Sequence, residues 1–307
     1  MSDYGDGSPM QGAGFDPAGG IPVDPASGAP VVLVDDPRPG VRRITMNRPD
    51  KRNSLTHRLR GGILAALRAG DADPDVKVMI VRGAGPSFSA GYDLAGANGD
   101  DPYPFFTAAG EGQWPRHVTE GWMSIWDLSK PVIAQVHGYC LAGGSELATG
   151  CDLVYVAEDA QMGYPATRFG VPDMHFHAWF LGMRRAMEMM VTGDSISGVE
   201  AVAEGWANRA FPADRLEDEV LAVAERIASI PSDVVALNKR LVHRQMDAMG
   251  MRAGIRAGTE LCALGTHTET LKAFVARARE GGLTKALDER DGAHGDYRTA
   301  DEQPSPG

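Results

Sequence analysis

Two loops in this chain carry residues whose types and order suit acyl chemistry. Phe88-Ser89-Ala90-Gly91-Tyr92-Asp93-Leu94 follows an apolar run, and His137-Gly138-Tyr139-Cys140-Leu141-Ala142-Gly143-Gly144-Ser145-Glu146-Leu147 follows another. Small residues and glycines let the main chain approach a ligand closely, and a helix opening after such a loop aims its free N–H groups outward. One such loop is weak evidence, because glycine-rich turns are common. Two of them, each leaving a strand and opening a helix, can bring their N–H groups onto one oxygen, which is what an oxyanion hole requires. Glu146 stands on the first turn of the second helix, where it is either a favourable partner for the helix dipole or an acid/base group. Ser145 is not a nucleophile at a strained elbow, since Gly143-Gly144-Ser145-Glu146-Leu147 lacks the closing glycine of that motif. A third segment, Asn47-Arg48-Pro49-Asp50-Lys51-Arg52-Asn53-Ser54-Leu55, reads by itself as a polar turn in which Asn53 or Ser54 caps a helix.

The elements that must position these loops are legible in the hydrophobic pattern. Val31–Val34 and Val41–Met46 are β-branched runs around a Pro/Gly/Asp turn and read as a hairpin. Leu55, Leu59, Ile63, Ala66 and Leu67 recur at helical spacing, with Gly70 where a helix would stop. Val76–Val81, Pro131–Val136 and Asp152–Val156 read as strands. Helices are expected over 182–191, 198–204, 214–230 and 232–247, with a last amphipathic stretch ending near Arg279. Strands crowd the first half and helices the second, so the class is α/β with a helical C-terminal region.

The chain has 307 residues, a formal net charge of −11 and 43% hydrophobic residues, which is enough for one sizeable core. The acidic balance disfavours nucleic acid and anionic membrane as partners. Cys140, Cys151 and Cys262 form no CxxC pair and no disulfide framework, and read as packing residues. Neither a secretory signal nor a long apolar run is visible, so the expectation is a soluble cytoplasmic protein. Residues 1–30 and 284–307 are rich in Gly, Pro and acidic residues and are expected to be a flexible leader and tail.

Taken in chain order, these segments resemble the enoyl-CoA hydratase/isomerase (crotonase) superfamily. Its pattern runs N-R-P-x-K-x-N-x-L, then F-x-A-G-x-D-L, then G-x-x-x-G-G-x-E-L with C-D shortly after; Asn47–Leu55, Phe88–Leu94, Gly138–Leu147 and Cys151-Asp152 follow it. Thr192–Ser197 and Gly205-Trp206-Ala207-Asn208 resemble the family's later helical signature, so the similarity spans roughly 31–280. The resemblance implies a spiral ββα core over 31–212, and a helical oligomerisation region over 213–283 that builds a trimer or a dimer of trimers. It implies an acyl-CoA thioester as substrate, coenzyme A entering only as part of that substrate; no metal is expected, because the three ligands that Asp173-x-His175-x-His177 offers have no strand or helix known to align them. The N–H groups of Tyr92 and Gly143 would hold the thioester oxygen, with Gly144 beside them and Glu146 as a catalytic carboxylate. Ala90, Asp93 and Leu94 would line the coenzyme path with Arg52 and Ser54 at its edge, and Arg277 would reach a neighbouring subunit's coenzyme.

The chain also departs from the pattern. The second glutamate of the hydratases follows a proline in a segment like Gly163-Tyr164-Pro165, and Ala166 stands there. A methyl group carries no proton, so two-carboxylate hydration is incomplete. Asp173, His175 and His177 come within a few residues downstream, and Asp173 stands where some family hydrolases place an aspartate. The expectation is that this segment supplies the missing acid/base group; the alternative is that Asp173 caps a helix and the histidines pack. Trp114, His117, Trp122 and Trp126 read as core, or as aromatic lining of an acyl pocket. Three activities remain open: a hydratase-like lyase with an atypical acid/base set, a hydrolase or isomerase on the same fold, and a non-catalytic CoA-ester binding protein.

Overall fold

In the computed structural model, residues 22–25, 27–94, 101, 103–105, 107–172, 176–292 and 294 are described. The hairpin forms as expected, Val32–Arg38 (β1) pairing antiparallel with Val41–Met46 (β2). Thr56 caps the next helix, His57–Ala72 (α1), by accepting from Leu59 N. Leu59, Ile63 and Leu67 turn its apolar face into the core. Gly70 does not end this helix. A Cβ there would lie 2.5 Å from Met79 Sδ, so the glycine instead lets α1 lie close on the sheet.

Val78–Gly83 (β3), Gln113–Met123 (α2), Val132–Val136 (β4), Tyr139–Leu141 (β5), Gly143–Gly150 (α3) and Leu153–Ala157 (β6) follow. Gln161–Gly163 (β7), His177–Thr192 (α4), Ser195–Ser197 (β8), Gly198–Ala203 (α5), Arg209–Phe211 (β9) and Leu216–Ala228 (α6) complete the core. Among the described residues the large sheet runs β1-β2-β3-β4-β6-β9, parallel from β2 onward, and a small sheet runs β5-β7-β8. β4 is buried along its whole length, the mark of a parallel strand covered on both faces and the reason it reads as an uninterrupted apolar run. Together these layers are α/β with a helical C-terminal region, the class expected from the sequence.

Between β4 and β5 the chain leaves the large sheet for the small one at Gly138. That residue has φ 55°, and a Cβ on it would lie 2.1 Å from Pro86 O, so only glycine fits.

The C-terminal region comprises Ser232–Ala248 (α7), Met251–Gly265 (α8), Glu269–Gly281 (α9) and Leu283–Asp291 (α10). The single amphipathic stretch expected up to Arg279 is thus α8 and α9, separated where Thr268 caps α9 through Leu271 N. Lys239 anchors α7 to the core, its buried ammonium donating to Ile125 O, Lys130 O and Asp152 Oδ2. α10 lies inside the stretch expected to be a tail. Its Asp291 pairs with Arg168 at 3.5 Å, and Ala286 is buried against the Phe169–Phe274 stack. Of the expected leader, residues 22–25 and 27–30 are held rather than loose: Val23 bridges Pro30, and Asp24 receives Arg48 Nε at 2.9 Å. The buried Arg48 guanidinium requires an anion, which Asp24 helps to supply. The rest of the leader and tail lies outside the described residues. No helix among the described residues is long and apolar enough to cross a membrane.

Candidate active site

The two glycine-containing loops are hydrogen-bonded to each other. Ser89 N donates to Tyr139 O at 2.9 Å and Leu141 N to Ser89 O at 3.0 Å, which draws the 88–92 loop along β5. The approach is so close that a Cβ on Gly144 would lie 2.5 Å from Ser89 O, and one on Gly91, which has φ 102°, would lie 3.0 Å from Leu141 O. Only glycine permits this contact at the mouth of α3. Ala142, just before it, is held at φ 47°, a strained value for a residue with a side chain. Gly143 is the first residue of α3, so its N–H has no partner within the helix. Among the described residues, neither Tyr92 N–H nor Gly143 N–H has a protein acceptor. The first loop opens no helix through Leu94; the residues after it lie outside the described set.

A cleft of about 790 Å³ runs from this junction to the surface. Arg52, Ser54, Ala90, Tyr92, Asp93, Leu94 and Ala166 line it, all residues singled out in the sequence, and Lys51 stands at its edge. Arg52 occupies a left-handed position at φ 46° and lies over the Tyr139 ring. Asp93 is fixed from behind, where Arg48 Nη1 and Ser54 Oγ both donate to its Oδ2 at 3.0 and 3.1 Å. Arg48 was not read as a site residue, although its place in the Asn-Arg-Pro segment was the signal. Helix α10 closes one wall of the cleft through Leu283, Leu287 and Arg290.

Glu146 is fully buried on the first turn of α3. Its Oε2 accepts a short hydrogen bond from Tyr92 Oη, and Trp122 Nε1 donates to the same Oη at 3.4 Å. Burial, then the Glu146 charge, push the Tyr92 phenol well above its usual value, so it stays protonated and acts as the donor. The phenol ring also covers Gly143, since a Cβ there would lie 2.5 Å from Tyr92 Cζ. Gly143, Gly144 and Glu146 therefore lie behind the Tyr92 ring rather than on the cleft wall.

His177 is not on the cleft wall either. It opens α4, fully buried, with Nε2 3.0 Å from Ser145 Oγ and its ring against Tyr164 and Trp206. These neighbours enclose the imidazole, and it does not line the cleft that Ala166 lines. Asp173 and His175 lie outside the described residues. Arg277 is exposed on α9 and does not line the cleft.

Beyond the Tyr92 ring lies a group that the sequence reading passed over. Arg60, on α1, is 2% exposed, with its Cζ 5.8 Å from the Tyr92 ring centre. Its Nη2 lies 2.7 Å from His117 Nε2. Guanidinium is only a donor, so Nε2 accepts and His117 Nδ1–H donates to Gln113 O at 3.2 Å. Burial and then the Arg60 charge push the His117 imidazole down to about 3, while burial lowers Arg60 to about 10. His117 is thus neutral and Arg60 cationic at neutral pH. The signal in the sequence was His57, Arg60, Leu64 and Leu67, which share one helical stripe and set a charge among core positions.

Comparison with known proteins places these features in a family. The family model for enoyl-CoA hydratase/isomerase matches residues 37–281. A putative enoyl-CoA hydratase, EchA13, of Mycobacterium tuberculosis is 35% identical over 72% of this chain and 75% of its own length. A probable enoyl-CoA hydratase of Rhizobium meliloti is 34% identical over 77% of this chain and 91% of its own. Among solved structures, an enoyl-CoA hydratase/isomerase from Xanthobacter autotrophicus Py2 superposes with a TM-score of 0.78 at 35% identity, covering 86% of this chain and 98% of that one. An enoyl-CoA hydratase from Mycobacterium smegmatis gives 0.79 at 32% identity, covering 90% and 98%.

Proposed function

This chain belongs to the enoyl-CoA hydratase/isomerase family, and on that premise we propose that its cleft binds an acyl-CoA thioester and moves a proton at the carbon next to the thioester carbonyl. The observation that carries this reading is the junction of the two loops, where two N–H groups without protein acceptors meet beside one buried carboxylate. Tyr92 N–H and Gly143 N–H receive the carbonyl oxygen as it gains negative charge. Fixed donors of this kind are worth about 10²–10³ in rate for each one removed. Glu146 takes or returns the proton. Arg52, Ser54, Ala90, Asp93 and Leu94 line the coenzyme path, with Lys51 near the phosphates. The Tyr92 ring swings aside as the acyl group enters, releasing the Glu146 carboxylate and uncovering Gly143.

Hydration of a 2-enoyl-CoA is the activity carried over from the relatives' names. Ala166 favours a second reading within the same site: one base that removes a proton and returns it elsewhere, as in double-bond isomerisation. The test is incubation of the purified protein with a 2-enoyl-CoA and, separately, a 3-enoyl-CoA, following the conjugated thioester absorbance and free thiol. Hydration lowers absorbance with the first ester, and isomerisation raises it with the second. Thiol release identifies a hydrolase. Tight binding with no change in either signal identifies a non-catalytic CoA-ester binding protein.

A further inference from the structure

Arg60 is a buried cation with no carboxylate in contact among the described residues. Among the described residues no carboxylate pairs with it, its side chain hydrogen-bonds only to the neutral His117 imidazole, and its Nε has no partner. A charge so placed is costly to the fold unless an anion meets it. The Glu146 charge reaches it only across the Tyr92 phenol, without contact. His57 and Trp114 line the same end of the cleft, Tyr103 stacks on His117 with ring centres 4.1 Å apart, and Tyr92 presents only the face of its ring. Arg60 nevertheless lines the cleft, so an incoming ligand reaches it. It also stands one tyrosine ring from the loop junction, because the residue whose ring it faces is the one whose N–H belongs to that junction.

Resting on the reading of this cleft as an acyl-CoA site, we propose that Arg60 receives a carboxylate carried at the far end of a short acyl chain, so that the substrate class is carboxyacyl-CoA rather than plain fatty acyl-CoA. His117 fixes the guanidinium from one side through Nη2. The unpartnered Nε is itself buried, so the guanidinium meets the ligand as the Tyr92 ring swings aside, in the fork geometry that matches a carboxylate. A purely aliphatic acyl group entering the same space would leave the cation buried and unpaired, which is discrimination by an unmet charge.

The experiment is calorimetric titration with two saturated esters that undergo no hydration or isomerisation, butanoyl-CoA and 4-carboxybutanoyl-CoA. The carboxylated ester binds the wild-type protein at least about ten-fold more tightly, the scale of one charge-assisted contact. Arg60→Met removes the preference while holding butanoyl-CoA within about three-fold of wild type, and Arg60→Lys keeps part of it. Should Arg60→Met fail to fold, the wild-type comparison decides alone. Equal affinity for the two esters overturns the inference and assigns Arg60 to balancing the Glu146 charge through Tyr92, with the acyl-CoA reading intact. Failure of both esters to bind overturns that reading and this inference with it.

Discussion

Tyr92 donates its phenolic hydrogen to Glu146 Oε2 while its ring lies over Gly143, so one side chain occupies both the candidate acid/base group and one of the two candidate oxyanion donors. The hydroxyl belongs to a residue whose own N–H is the other donor. A ligand that reaches the loop junction must therefore break this hydrogen bond. The first prediction follows from that geometry. Tyr92→Phe removes the bond but keeps the ring, and binds butanoyl-CoA about ten-fold more tightly, the scale of a hydrogen bond to a charged group. Unchanged affinity by calorimetry would mean that the ring does not move on binding.

Glu146→Gln keeps an acceptor for Tyr92 and the shape of the buried side chain. It lowers turnover by at least about a hundred-fold, within the range of a positioned acid or base, and leaves the affinity for saturated acyl-CoA within a few-fold. Undiminished turnover would reduce Glu146 to a partner for the α3 dipole.

Ala166 lines the cleft on the short turn Pro165–Phe169, where the family resemblance would put a second glutamate. Ala166→Glu raises the rate of 2-enoyl-CoA hydration by about ten-fold or more, measured as loss of conjugated thioester absorbance. A slower rate with the fold intact by circular dichroism would show that the carboxylate does not reach the double bond.

His117 titrates against the fold. In the unfolded chain it takes up a proton near the ordinary imidazole value of 6.5; folded, it does so only at about 3, because burial and then the Arg60 charge oppose it. Arg60, His57, Tyr103 and Trp114 face it, and none is an anion. Between those values the unfolded state binds one proton more, so stability falls as pH drops, by about 1.4 kcal/mol per pH unit. His117→Gln still accepts from Arg60 but does not titrate. Urea unfolding between pH 6.5 and 5 shows a slope shallower by about that amount in the variant, and parallel curves would exclude His117 as the cause.

The exposed apolar side chains of the C-terminal region are the basis for predicting assembly. Leu237, Leu241 and Val242 on α7 and Leu261 and Leu264 on α8 are each more than half exposed. Apolar stripes of this kind on a domain whose core is already filled mark a protein interface. Light scattering at micromolar concentration gives a trimer or a dimer of trimers. A monomer would refute the assembly and leave Arg277, exposed on α9, without a neighbouring subunit's coenzyme to contact.

The sequence by itself determined the family, the order of the main strands and helices, and one stretch of the cleft wall around Arg52, Ser54, Ala90, Tyr92, Asp93 and Leu94. Buried parallel strands read as unbroken apolar runs, and backbones in contact demand glycine at Gly91 and Gly144, so both features are written locally. Gly70 was misread because its role, admitting Met79 against α1, depends on a residue in the next strand. α10 was read as a tail because its helix is polar and gains its hold from Arg168, more than a hundred residues away in the chain. Only the tertiary structure decided where side chains point. It turned His177 under α3 against Ser145, laid the Tyr92 ring over Gly143, and set Arg60 beside His117 without an anion. Each of these depends on a side-chain direction and on a neighbour from a distant element, and neither is encoded in the spacing of residues along one segment.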